Sequence, residues 1–181
     1  KDGAGADEII GGAGADTISL AGGGSDDVHV SNDTVVDTVT GFNFGTSSTA
    51  VDQVEVTASY LGGTDGADSA DGFDLTIDSV DTITSGVTGI DAATDVAIFT
   101  GATYSAATLD TAIEGLNSAV VVEDFFAVYQ DNFGDVRLAV VESDGAADSG
   151  ADFTVTDVMV FSDLQISDIA TIIDASDFIL V

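Results

Sequence analysis

Carboxylates preceded by glycines recur near the start of the chain at a spacing suited to holding a cation. Asp7, Asp16 and Asp26 lie nine and ten residues apart. Ahead of them stand Gly3 and Gly5, then Gly11, Gly12 and Gly14, then Gly22 and Gly24; two places after each Asp comes an aliphatic residue, Ile9, Ile18 or Val28. Glycine admits positive φ, so a tight loop can turn several carbonyls towards one point, and the short Asp side chain adds a charged oxygen to that cage. Hard oxygen donors without sulfur or imidazole suit Ca²⁺. The three aspartates and seven glycines are therefore the predicted metal ligands.

Such loops need strands to carry them. The aliphatic residue after each Asp predicts a short strand with one side chain turned inwards. If two units complete one turn, the first and third loops share an edge, and Asp7 and Asp26 flank one ion. Asp16 then lies on the opposite edge, facing a degenerate fourth loop around Asn32 to Val36, where Asp33 and Asp37 are the available carboxylates. Glycine, aspartate and aliphatic residues recur in phase, which a flexible acidic tail does not require. Asp2 stands where the first unit would have its first glycine, so the repeat is entered partway and a longer array is expected.

The middle unit, GGAGADTIS (11–19), matches the nonapeptide G-G-x-G-x-D-x-U-x at every specified position. It resembles the repeats-in-toxin family of secreted calcium-binding proteins, whose repeats wind into a parallel β-roll. Asp37-Thr-Val-Thr-Gly-Phe-Asn-Phe-Gly45 followed by Asp52-Gln-Val-Glu-Val56 resembles the exit from such repeats, with Gly41 and Phe42 where the family more often has Asp-Phe. No ligand is expected there, and Phe42 and Phe44 are expected to close the open end of the roll. The final residues, Asp174-Ala-Ser-Asp-Phe-Ile-Leu-Val181, resemble the uncleaved export signal of type I secreted proteins. A hairpin through Tyr129-Gln-Asp131, an acidic loop from Glu142 to Asp152 and the run Val158-Met-Val-Phe161 resemble the region preceding that signal.

Charge sets the boundary conditions. Thirty-three Asp and Glu oppose two Lys and Arg, for a formal charge of −31 over 181 residues, so side-chain ion pairs cannot neutralise the chain. Self-repulsion of this size opposes compaction, yet 45% apolar content is enough for a core. A folded chain that needs cations satisfies both facts. Without a basic patch nucleic acid is excluded as a partner, and a bare anionic membrane repels the chain. There is no cysteine, hence no disulfide or thiolate site, and no proline, so glycine supplies the turns. No apolar run reaches the roughly 18 residues of a membrane span, and no export leader follows Lys1.

A catalytic constellation does not assemble. His29 is the single imidazole and falls at an outward repeat position. There is no nucleophile elbow, phosphate loop or zinc helix. Asp148-Ser-Gly150 occurs once, in an acidic loop, and carries no chemistry by itself. Leu61 to Asp74, with Asp65, Asp68, Asp71 and Asp74, is expected to be a solvated acidic loop.

Beyond the repeats, runs over 74–83, 95–100, 119–130, 136–142 and 153–161 predict strands. Phe125 to Gln130 turns through Asp131-Asn-Phe-Gly134 into Asp135 to Val141. Ser105 is the expected N-cap of a helix with Leu109, Ala112, Ile113 and Leu116 on its apolar stripe, ending at Asn117; a second short helix is expected over 167–173. The expected fold is mainly β: a short parallel calcium-binding β-roll over 1–45, then a β-rich, sandwich-like region over 46–181 with one or two short helices. The resemblance implies a non-enzymatic, secreted, extracellular or cell-surface module that folds on Ca²⁺, with the type I (ABC) secretion apparatus as partner. Its setting is expected to be a surface-layer, filament or adhesin assembly, with calcium bridging it to copies of itself or to anionic cell-surface glycans. The competing expectation is the export and folding module of a secreted hydrolase or protease with its catalytic domain upstream.

Overall fold

Each repeat aspartate is followed by three or four extended residues with an aliphatic side chain turned inwards. In the computed structural model, which describes residues 2–30, 35–45, 51–56, 77, 79–84, 90, 94–116, 124–143 and 153–180, these strands are β1 (Glu8–Ile10), β2 (Thr17–Ser19), β3 (Asp27–His29), β4 (Asp37–Thr40) and β5 (Gln53–Val56). The chain delivers them alternately to two sheets. β1, β3 and β5 pair in parallel, with Ile9 opposite Val28 and Val28 opposite Val54. β2 and β4 pair in parallel in the other sheet, with Ile18 opposite Val39. Parallel neighbours need a crossover, and here each crossover is a strand of the facing sheet.

The remainder adds to the same two sheets. β6 (Val80–Thr84), β7 (Val96–Thr100), β8 (Phe125–Gln130), β9 (Val136–Ser143), β10 (Phe153–Phe161) and β11 (Phe178–Leu180) bring the described strands to eleven, with α1 (Ala106–Leu116), α2 (Ile166–Ile169) and a 3₁₀ turn at Ala175–Asp177. The protein is mainly β, in sheets of order β1-β3-β5-β11 and β2-β4-β10-β9-β8-β7-β6. β10 runs parallel to β4, with Phe161 opposite Val39, and β11 runs parallel to β5, with Phe178 opposite Val54. Both sheets therefore run across position 45, where a change of unit was expected. Phe42 and Phe44 fill the interior rather than an open end: their rings lie 4.9 and 5.2 Å from that of Phe161, delivered by β10.

The core has two compartments because the large sheet is buried on both faces. Ile18, Val28, Val39, Val54, Phe126, Val128 and Phe178 belong to the compartment between the sheets. Phe125, Ala127 and Tyr129 alternate to the other face, where Leu109 and Ile113 of α1 cover them. Ser105 caps α1 as expected: its Oγ accepts the Thr108 N–H at 3.3 Å and the Thr108 hydroxyl oxygen accepts the Ser105 N–H at 2.7 Å. The β8–β9 hairpin also forms as expected, with Gln130 opposite Val136. Its turn is held by Asp131, whose Oδ1 accepts the N–H groups of Phe133 and Asp135 at 2.8 and 3.0 Å. No helix among the described residues is long and apolar enough to cross a membrane.

Candidate metal centre

Where the odd-numbered strands begin, aspartates of successive coils are linked backbone to side chain. The Asp7 N–H donates to Asp26 Oδ1 at 3.0 Å, and the Asp26 N–H donates to Asp52 Oδ1 at 3.0 Å. Asp52 Oδ2 accepts the Asn43 N–H at 2.9 Å. The parallel register places these residues one above another, just ahead of β1, β3 and β5.

One oxygen of Asp26 is left over. Asp26 has 0% of its surface exposed, and its Oδ2 has no hydrogen-bond partner. An uncompensated buried carboxylate oxygen is costly. Asp2, Asp7 and Asp26 each bring a carboxylate oxygen within 4.8 Å of the others. Asp7 Oδ2 also accepts the Gly3 N–H at 3.1 Å, and both Asp2 oxygens accept the Gly22 N–H, at 3.2 and 3.0 Å. Three carboxylate oxygens within 4.8 Å of one another, one of them from the fully buried Asp26, would suit a hard divalent cation such as calcium, which takes oxygen ligands at about 2.3–2.6 Å. Zinc, which favours sulfur and imidazole, is a poorer match.

The electrostatics agree with an excess of negative charge. Burial raises the carboxyl of Asp52 above its ordinary value; the Asp26 and Asn43 N–H groups oppose the shift, and the charges of Asp26 and Asp2 reinforce it. Asp27 is raised likewise, by burial first and then by Glu8 and Asp26.

The glycines divide into two kinds. A Cβ on Gly22 would lie 1.5 Å from the Gly3 carbonyl oxygen, and one on Gly24 would lie 1.7 Å from that of Gly5. The first-coil carbonyls are therefore packed onto the α-carbons of the next coil, and only glycine admits that approach. Gly12 and Gly14 instead have open space around them and positive φ of 92° and 106°. Gly11 is set against the opposite edge, where a Cβ would lie 3.1 Å from Asp16 Oδ2 and 3.2 Å from Asp37 Oδ2. On that edge the Asp16 N–H donates to Asp37 Oδ1 at 2.9 Å.

Asp7 and Asp26 thus share one edge and Asp16 and Asp37 the other. Asn32 and Asp33 lie outside the described residues, as does the whole stretch from Leu61 to Asp74. Two members of the first edge fall outside the ligand pattern of the repeat. Asp2 occupies a glycine position. Asp52 opens a strand and accepts an N–H group at each oxygen, and Asp52-Gln-Val54 repeats the Asp-x-aliphatic pattern of Asp7-Glu-Ile9. A third long-range contact, the Gly41 N–H donating to Asp163 Oδ2 at 2.7 Å, had no local signal.

Among the described residues, the guanidinium and the imidazole are placed as follows. The one guanidinium, Arg137, bonds Asp131 through Nε at 2.8 Å and Asp157 through Nη1 at 2.9 Å, and the Tyr129 hydroxyl donates to Asp157. His29 is half-buried in β3, in register with Ile10 and Glu55. No family model, known protein or solved structure matches this chain.

Proposed function

We propose that the chain is a non-enzymatic calcium-binding module of an exported protein, one that completes its fold when it meets Ca²⁺ outside the cell. The observation that carries this reading is Asp26: it is fully buried, one of its oxygens has no hydrogen-bond partner, and its carboxylate lies within 4.8 Å of those of Asp2 and Asp7. Alternation of β1 to β5 between two parallel-paired sheets supports describing the repeats as a calcium-binding β-roll, and Asp16 with Asp37 supports a second site on the opposite edge.

In metal-poor cytosol the carboxylates repel one another and the loops stay open, which suits threading through a type I secretion apparatus. Extracellular calcium modules bind with dissociation constants of about 10⁻⁴ to 10⁻³ M, and binding free energy becomes folding free energy. A cell-surface assembly is preferred to an enzyme's tail because a formal charge of −31 suits calcium-bridged association.

The test is a circular dichroism titration with calcium after chelation, with magnesium as the control ion. Gain of β-signal at submillimolar to millimolar Ca²⁺ is expected. Identical spectra with chelator and with calcium would remove the coupling of metal to fold.

A further inference from the structure

Resting on the metal-binding reading, we infer that the C-terminal strand β11 is a latch on the metal loops: its docking against β5 raises calcium affinity, and calcium in turn holds it docked. The loop after β4 and strand β5 are the two limbs joined by Asp52, whose Oδ1 takes the Asp26 N–H and whose Oδ2 takes that of Asn43. The C-terminal segment grips both limbs. On the strand side, Phe178, Ile179 and Leu180 pair with Val54, Glu55 and Val56, and the Gln53 side-chain amide donates to the Ser176 carbonyl. On the loop side, the buried Asp177 carboxyl accepts the Gly45 N–H.

Asp26, which faces the metal position, is one hydrogen bond from Asp52, and Asp52 immediately precedes the strand that β11 covers. β11 is three residues long, pairs among the described strands with β5 alone, and is anchored by a buried Phe178 stacked on Phe126 with ring centroids 6.2 Å apart. A short edge strand of this kind has two discrete states, docked and released, and the metal biases one of them. Coupling between two sites is reciprocal. The last strand, which the sequence likens to an export signal, is thereby covered once the metal is bound.

The test compares calcium affinity, by isothermal titration calorimetry on the full chain, for the wild type, Gln53→Ala, a chain ending at Asp177, and Thr100→Ala. The last removes the hydrogen bond from the Thr100 hydroxyl in β7 to the Ile83 carbonyl in β6 and serves as the control. Weakening of about fivefold or more in Gln53→Ala and in the shortened chain is the size expected of coupled sites, with the control within about twofold of wild type. Amides of 178–180 should also exchange faster in Gln53→Ala than in the control at equal calcium. Equal affinities in wild type, Gln53→Ala and the shortened chain overturn the latch and leave metal binding standing. A control weakened as much as Gln53→Ala also overturns it, because the effect is then one of general stability. Failure of the wild type to bind calcium defeats the metal reading itself. If the shortened chain does not fold, Gln53→Ala and its exchange rates decide alone.

Discussion

Asp26 and Asp52 are joined across one coil: the Asp26 N–H donates to Asp52 Oδ1 at 3.0 Å, while Asp26 Oδ2 stays buried with no donor. One carboxylate thus satisfies the backbone of the coil before it, and the other keeps an oxygen in reserve. Both aspartates hold the stack together, since Asp26 Oδ1 accepts the Asp7 N–H, but only Asp26 keeps an oxygen for the proposed cation.

Asp26→Asn should change sign with the metal. In chelator, replacing a buried charge by a neutral amide relieves repulsion from Asp2 and Asp7 while retaining an acceptor for the Asp7 N–H. The variant should be more stable than wild type by about 1–3 kcal/mol, the size of one unsatisfied buried group. In saturating calcium the order should reverse, with affinity lowered at least tenfold. Urea melts in both conditions give the answer, and a variant less stable than wild type in chelator would contradict the account of Asp26.

Gly22→Ala and Gly3→Ala occupy equivalent repeat positions and should behave differently. At Gly22 a Cβ would overlap the Gly3 carbonyl oxygen at 1.5 Å, so the coils must separate and the variant should lose several kcal/mol, like other severe overpacking. At Gly3 a Cβ meets only Asp7 Oδ2, at 3.7 Å, and surface changes of that kind stay within about 0.5 kcal/mol. Thermal melts in calcium distinguish the two, and equal losses would mean that the coil contact is not what makes glycine necessary.

That pair of glycines shows how far the sequence could be read. Periodicity placed Asp7, Asp16 and Asp26 and the aliphatic residue after each, because parallel strands stacked in register repeat one local solution. It also placed α1 and the β8–β9 hairpin, whose caps and turns are local. It could not tell which glycine answers to a neighbouring carbonyl and which to positive φ. Nor could it show that Phe161 meets Phe42 and Phe44, or that Asp163 meets Gly41, since those partners are brought together only when β10 adds beside β4. Asp2 and Asp52 fell between these cases, the right residue type at positions where the repeat is imperfect.

Asp177 should make stability depend on pH near 6. Its carboxyl is pushed up to about 6, mainly by burial and further by the Asp174 charge, against the Asp174 and Gly45 N–H groups. A raised folded-state value favours the protonated form on folding, so this contribution is full below the ordinary value of about 3.9 and is lost as pH rises through about 6. Asp177→Asn, neutral throughout, should gain on wild type by on the order of 1–2 kcal/mol between pH 5 and 8. The wild-type minus variant difference, followed by urea melts across that range, isolates this group from the other carboxylates; a flat difference would show that burial does not govern it.

Arg137→Met should cost more than loss of an exposed ion pair. Asp131 is 3% exposed, and its carboxyl is held below the usual range: burial pushes it up, but the Arg137 side chain and the N–H groups of Phe133 and Asp135 outweigh that. A depressed folded-state value gives stability that is present above about pH 4 and lost as pH falls through the lower folded value. Removing the guanidinium leaves Asp131 and Asp157 without their cation and the Tyr129 hydroxyl beside a lone carboxylate. Breaking a largely buried pair from one side costs about 3–5 kcal/mol, and with Arg137 itself 22% exposed the expected loss is near the lower end. Arg137→Lys, which keeps the charge but not the two-direction fork, should fall between the two. Because β8, β9 and β10 all meet at this point, amide exchange should accelerate across these three strands before it does in β1 to β3. Uniform acceleration over the whole chain would instead mean that the network supports global stability and does not pin the hairpin to β10.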